Sequence, residues 1–236
     1  MSDAAASDAA PVRLDLWADI ACPWCYLGSA RLSEVVDAAT ARGEVVHVRH
    51  RPFQLDPALP PEGRPFATYL EEKLGPAAAD QIHERLVGLG AEVGIRFDFD
   101  AVAVAPNTRL AHHLLSTYDG DPRQRAAVRA LYAAHFERGL DVTRREVLAD
   151  VVAEATGEPR EDVLDRLDRP ADVLDQQLRL GLSLGVSAVP TFVADAGAPI
   201  DPAVELSAAA VAAQGAQPAE ILERLLAETR TRAAAS

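Results

Sequence analysis

The feature that most constrains this chain is Cys22-Pro23-Trp24-Cys25, because it contains both cysteines of the protein. Two cysteines placed at random in a chain this long would show that spacing about once in a hundred sequences. A single pair cannot staple 236 residues. The fold must therefore rest on an apolar core, for which 49% hydrophobic residues suffice. In a reducing compartment such a pair is ordinarily catalytic or metal-binding.

The flanks of the pair have recognisable periods. Val12, Leu14 and Leu16 alternate with Arg13, Asp15 and Trp17, the period of a half-buried strand. After the cysteines, Leu32, Val35, Val36 and Ala39 recur at helical spacing, with Gly43 as a C-terminal stop. Val45–Phe53 reads as a second strand, closed by Pro52 and the turn chemistry of Asp56-Pro57. Strand, CxxC, helix and strand thus follow one another.

From about residue 62 the period changes. Ile82, Leu86, Leu89 and Val93 form one helical stripe. Asp121-Pro122 opens another helix, with Val128, Leu131, Tyr132 and Phe136 on its inner face and Gly139 after it. Thr143 and Glu146 have the spacing of a capping box, and Gly157 is a stop. Pro159 and Pro170 sit where first helical turns would begin. Five to seven helices are expected between 62 and 185.

Strand character returns at Val189–Ala194 and over Ala208–Ala213, around a predicted loop at Asp195–Glu205. An amphipathic helix from Pro218 presents Ile221, Leu222, Leu225 and Leu226. The order predicts an α/β domain, residues 12–61 and 186–230, interrupted by an all-helical insertion over 62–185. Residues 1–11 and 231–236 read as flexible tails.

The chemistry follows from the placement of the cysteines. Only a thiolate attacks a disulfide, and a free thiol is mostly protonated at neutral pH. A CxxC that opens a helix offers unpaired backbone N–H groups and the positive end of the helix dipole, both of which favour the anion. Cys22 at the helix mouth is expected to be the exposed nucleophile. Cys25, a turn later, is expected to resolve the mixed disulfide. Pro23 suits the first helical position, and Trp24 offers an apolar face beside the sulfur. Structural zinc needs four ligands, and the six histidines have no matching spacing, so a metal site is not expected. An inert structural pair is the remaining alternative.

Lys and Arg number 23 against 36 Asp and Glu, a net charge of −13. Phosphate backbones and anionic lipid repel such a chain, so neither nucleic acid nor membrane is an expected partner. The first residues carry no basic or apolar stretch of a secretory signal, which points to the cytoplasm.

The segment from Asp19 through Cys22-Pro-Trp-Cys25-Tyr-Leu-Gly28 resembles the active site of the DsbA-like thioredoxin superfamily, in its FrnE-like branch. Arg51-Pro-Phe53-Gln-Leu55-Asp-Pro57, Asn107-Thr108-x-x-Ala111-His112, Val189-Pro190-Thr191-Phe192 and Gly215-Ala-Gln217-Pro also resemble its segments. The resemblance implies a thioredoxin-like fold with the helical domain inserted after the second strand. It also implies a cis peptide at Val189–Pro190, with Val189 and Pro190 pairing with substrate as an extra strand. Asn107 and His112 are expected to line the cleft between insertion and core and to bind substrate, a satisfied structural histidine being the alternative reading of His112. The chain departs from the pattern in a longer link after Phe192, and in Ser187-Ala188 where a glycine is usual.

The activity implied is dithiol–disulfide exchange with protein thiols or disulfides, or with a small-molecule thiol. No cofactor is expected beyond the Cys22–Cys25 pair. Two rival readings share the fold: a thiol-dependent isomerase or transferase of the 2-hydroxychromene-2-carboxylate isomerase kind, and a non-catalytic peptide-binding module. The isomerases typically carry serine at the first active-site position, where this chain has Cys22. Asp19 reads equally as a proton relay or an end-of-strand carboxylate, and His113 as a residue of an outer helix face. His47, His50, His83 and His135 read as structural or exposed.

Overall fold

The computed structural model describes residues 10–196 and 210–235. Its central strand is β1 (Val12–Ala18). β1 runs parallel to β2 (Val46–Pro52) and antiparallel to β5 (Thr191–Ala196), which pairs with β6 (Val211–Gln214). The sheet order is β2-β1-β5-β6. The connection from β1 to β2 is α1 (Pro23–Ala41), the crossover helix that a parallel pair requires. α9 (Ala219–Ala234) follows β6 and touches α1, β5 and β6. Its Leu222, Leu225 and Leu226 join the core with Leu14, Leu16, Leu32 and Val35.

The predicted helical span contains seven α-helices: α2 (Phe66–Leu74), α3 (Pro76–Glu92), α4 (Arg109–Ser116), α5 (Gln124–Phe136), α6 (Arg145–Thr156), α7 (Arg160–Leu167) and α8 (Asp172–Ser183). It is not all-helical. β3 (Arg64–Pro65) and β4 (Val104–Ala105) form a small antiparallel ladder within it. Two residues per strand are too few to show a period of two, so the pattern could not reveal it.

The strand pattern misleads at β1. Alternation predicts a half-buried strand, yet every residue of β1 is buried. α4, α5 and α8 pack against β2 and cover the face the pattern left to solvent. The polar residues there satisfy one another. Asp15 lies 3.1 Å from Arg51 and 3.4 Å from Arg13, while Asp119 pairs with Arg49 at 3.1 Å and Arg51 at 3.2 Å. Gln177 of α8 donates to Asp119 at 2.9 Å. Burial pushes the Asp15 carboxyl up, and the neighbouring arginines oppose that shift.

Local differences have local causes. The capping box does not form: Arg144 is the N-cap of α6, and Thr143 Oγ1 donates to Asp141 instead, at 2.7 Å. β5 runs through Asp195 and Ala196, which the sequence assigned to a loop, because they pair with Arg13 and Val12 of β1. The rest of that loop, and the start of the strand expected at Ala208, lie outside the described residues. α9 continues to Ala234, past the tail boundary expected at 231.

Candidate active site

Cys22 is the N-cap of α1, in extended conformation (φ −97°, ψ 112°), with Pro23 in the first turn. Its carbonyl accepts the amide hydrogens of Cys25 (3.0 Å) and Tyr26 (3.2 Å), which start the helix. No acidic residue occupies the first turn, so nothing there offsets the helix dipole at the sulfur. Both cysteines are free thiols.

The expectation of an exposed nucleophile needs correction. Cys22 is only 4% exposed and Cys25 is fully enclosed. The reason is a roof. Cys22, Pro23, Trp24 and Val189 form one side of a cleft of about 460 Å³. Phe66, Tyr69 and Leu70 of α2, His83 of α3, and Phe99 form the other. The His83 ring stacks on Phe99, with centroids 3.8 Å apart and planes 6° from parallel. The insertion thus converts an open helix mouth into an apolar pocket with the thiol at its base.

Beneath the cysteine turn lies a buried polar cluster. The Asp19 carbonyl accepts from the Cys22 amide at 3.0 Å and from the Tyr132 hydroxyl at 3.2 Å. The Asp19 carboxylate accepts from the amides of Leu55 (2.7 Å) and Ala21 (3.2 Å) and pairs with His112 Nε2 at 3.2 Å. The Tyr132 hydroxyl is also a hydrogen-bonding neighbour of Cys25, and burial pushes its phenol well up. Burial likewise pushes the Cys25 thiol well up, reinforced by its hydrogen bond with Cys22. Cys25 is therefore the group that must be relieved of a proton before it can attack.

The expected site residues divide into two groups. Cys22, Pro23, Trp24 and Val189 meet at the cleft. Pro190, whose bond to Val189 is cis, lies against α1. An added Cβ on Gly28 would come within 3.0 Å of Pro190 Cγ, so glycine there permits the close approach. Asn107 and His112 do not line the cleft. Asn107 donates to the Leu59 carbonyl at 2.6 Å and accepts from Gln54 and from the Arg109 amide, bracing the loop after β2. His112 is buried behind Asp19. His113, expected on an outer face, is buried too, at 7% exposure.

Sequence reasoning missed His135. It lines the cleft beside Phe136, its Nε2 has no protein partner, and burial lowers its pKa to about 4. Its position three residues after Tyr132, on the inner face of α5, was the available signal. Tyr132 was noted only as part of a core stripe.

The fold agrees with the comparisons. The family model of the DSBA-like thioredoxin domain matches residues 13–227. The chain is 29% identical to a probable DsbA oxidoreductase from Streptomyces coelicolor, over 92% of this chain and 89% of that one, with a TM-score of 0.73. A cytosolic disulfide reductase, DsbM, from Pseudomonas aeruginosa shares the fold at 22% identity and a TM-score of 0.53, over 77% of this chain and 85% of that one. An uncharacterized Bacillus subtilis protein, YwbO, is 24% identical over 188 residues, which cover 77% of this chain and 86% of its own. A CxxC turn at the mouth of the crossover helix, inside a sheet of this order and matched from strand β1 to helix α9, makes this chain a member of the DSBA-like thioredoxin family.

Proposed function

We propose that the protein is a thiol–disulfide oxidoreductase in which Cys22 attacks and Cys25 resolves. The observation that carries this reading is the position of Cys22: at the N-cap of a 19-residue helix, at the base of the cleft, with Cys25 one turn behind it. The helix mouth favours the Cys22 thiolate. The enclosed Cys25 keeps its proton until a mixed disulfide at Cys22 gives it a target. Val189 lines the same cleft as Cys22, and its backbone would offer an edge on which an extended substrate pairs. Proteins or small molecules bearing thiols and disulfides are the substrates in this reading. A cytoplasmic setting and the FrnE-like branch go with it, on the strength of the sequence pattern.

The test is the reduction potential of the Cys22–Cys25 couple, with exchange followed in both directions. A reversible two-electron couple, lost in Cys22→Ser, is the expected result. A protein that forms no intramolecular disulfide under any thiol buffer would overturn the proposal.

A further inference from the structure

We propose that the protein has a second ligand site, behind α4, which takes a small apolar molecule carrying one hydroxyl group.

The argument begins with α4, which acts as a wall. Thr108, its N-cap, and His112 lie four residues apart on the face toward the cysteines. Thr108 lines the Cys22 cleft, and His112 pairs with Asp19. Leu110 and His113 lie three residues apart on another face, and both line a separate cavity of about 370 Å³. Leu174 of α8, Pro61 before β3 and Thr143 before α6 bound that cavity from the other sides. No described residue lines both spaces.

The lining narrows the occupant. Pro61, Leu110, Ala171 and Leu174 supply apolar walls. Most polar groups there are already engaged. Asn107 donates to the Leu59 carbonyl and accepts from Gln54 and the Arg109 amide. The Thr143 hydroxyl donates to Asp141 at 2.7 Å. Arg109 pairs with Asp175 at 2.7 Å, and both side chains are nearly half exposed to solvent. His113 is the exception: it is only 7% exposed, and its Nδ1 has no hydrogen-bonding partner. A buried ring nitrogen left unpaired is costly, and proteins rarely leave one so.

The ligand chemistry follows from that one open group. In a neutral imidazole one nitrogen donates and the other accepts, and the tautomer depends on what faces the ring. A hydroxyl both donates and accepts, so it satisfies either tautomer, whereas a carboxylate only accepts. Water could meet His113 alone, but the apolar walls give it no further partners. A substituted ring covers those walls and gives up only its hydration there. The cavity volume lies in the range of small-molecule sites, which combine mostly apolar walls with a few polar groups.

The experiment titrates the full chain calorimetrically with 4-propylphenol, propylbenzene and 4-propylbenzoate. Saturable binding of one equivalent of the phenol is expected, with the benzoate about tenfold weaker. The phenol-to-propylbenzene affinity ratio should fall about tenfold in His113→Leu, the value of one hydrogen bond. Ala171→Phe, which puts a ring into the cavity from a half-exposed position, should abolish binding of the phenol. Thermal melts establish that the variants fold, and Ala171→Phe decides the location should His113→Leu not fold. The proposal is overturned by the absence of saturable phenol binding, or by an unchanged ratio in folded His113→Leu. It is equally overturned by full phenol binding in Ala171→Phe, which would move the ligand elsewhere, or by tighter binding of the benzoate, which would give its polar end to Arg109. None of these outcomes touches the redox reading, which rests on Cys22 and Cys25.

Discussion

Asp19 and His112 meet 3.2 Å apart beneath the cysteine turn, across 93 residues of chain, and join the end of β1 to α4. The same carboxylate also accepts the amides of Ala21 and Leu55. It therefore fixes three segments at once: the CxxC turn, the loop after β2, and the insertion. Asp19→Ala would leave two amides and an imidazole without their acceptor. Each such loss costs about 1–3 kcal/mol, so we expect a loss of ~3 kcal/mol or more in urea unfolding. Asp19→Asn keeps an acceptor oxygen and should cost clearly less. Equal stability of Asp19→Ala and wild type would show that the cluster contributes nothing to holding the site.

Two glycines should respond in opposite directions. Gly181, in α8, lies against Trp17: an added Cβ would meet Trp17 Cζ3 at 2.7 Å, a rigid ring with no room to yield. Gly181→Ala should therefore destabilise, by about 1–3 kcal/mol. Gly88, in α3, has nothing within 4 Å of an added Cβ. Gly88→Ala should stabilise, by about 1 kcal/mol, from helix propensity alone. Thermal melts of the pair check both signs.

The buried histidines set an acid limit. His50 and His135 each have a pKa lowered to about 4 by burial, Arg125 adding to the effect at His50 and Asp19 and Asp141 opposing it at His135. Their unfolded value is near 6.5, so between the two values the unfolded chain binds more protons than the folded one. Stability is then full above about pH 6.5 and falls as pH drops toward 4, by at most ~3 kcal/mol for each ring. His135→Leu should flatten part of that slope. An unchanged slope from pH 7 to pH 4.5 would refute the assignment.

Much of this was legible in the sequence, and the illegible parts have physical reasons. The CxxC turn, α1 and β2 were readable because period and punctuation agree locally. The Asp19–His112 pair was not, since no local pattern reports a contact across 93 residues. The burial of Arg13 and Asp15 was hidden because alternation marks which face a residue takes, not what later covers that face. The inner-face position of His135 on α5 was readable, but its unpartnered ring in the cleft comes from packing that no local pattern reports. The roof over Cys22 comes from α2, whose apolar residues serve the cleft rather than the core.

Tyr132 ties the buried cluster to the chemistry. Its hydroxyl donates to the Asp19 carbonyl and neighbours Cys25. As Cys25 becomes a thiolate, that hydroxyl can turn its one hydrogen from the Asp19 carbonyl to the sulfur, adding to the Asp19 backbone hydrogen bond that already favours the anion. Tyr132→Phe should slow resolution of the mixed disulfide by about tenfold or more, the value of one hydrogen bond to a charged group. The pH profile of resolution should move to higher pH, while alkylation of Cys22 stays unchanged. Stopped-flow kinetics separate the two steps, and an equal loss in both would mean a merely structural role.

The most direct test of the account asks which sulfur forms the bond to substrate. Cys25→Ser and Cys22→Ser are each incubated with a disulfide-bonded peptide, and the intact masses are read after quenching. The account predicts a stable mixed disulfide at Cys22 in Cys25→Ser, and none in Cys22→Ser, where the enclosed Cys25 keeps its proton. Adduct on Cys25 in Cys22→Ser, or no adduct in either variant, would contradict it.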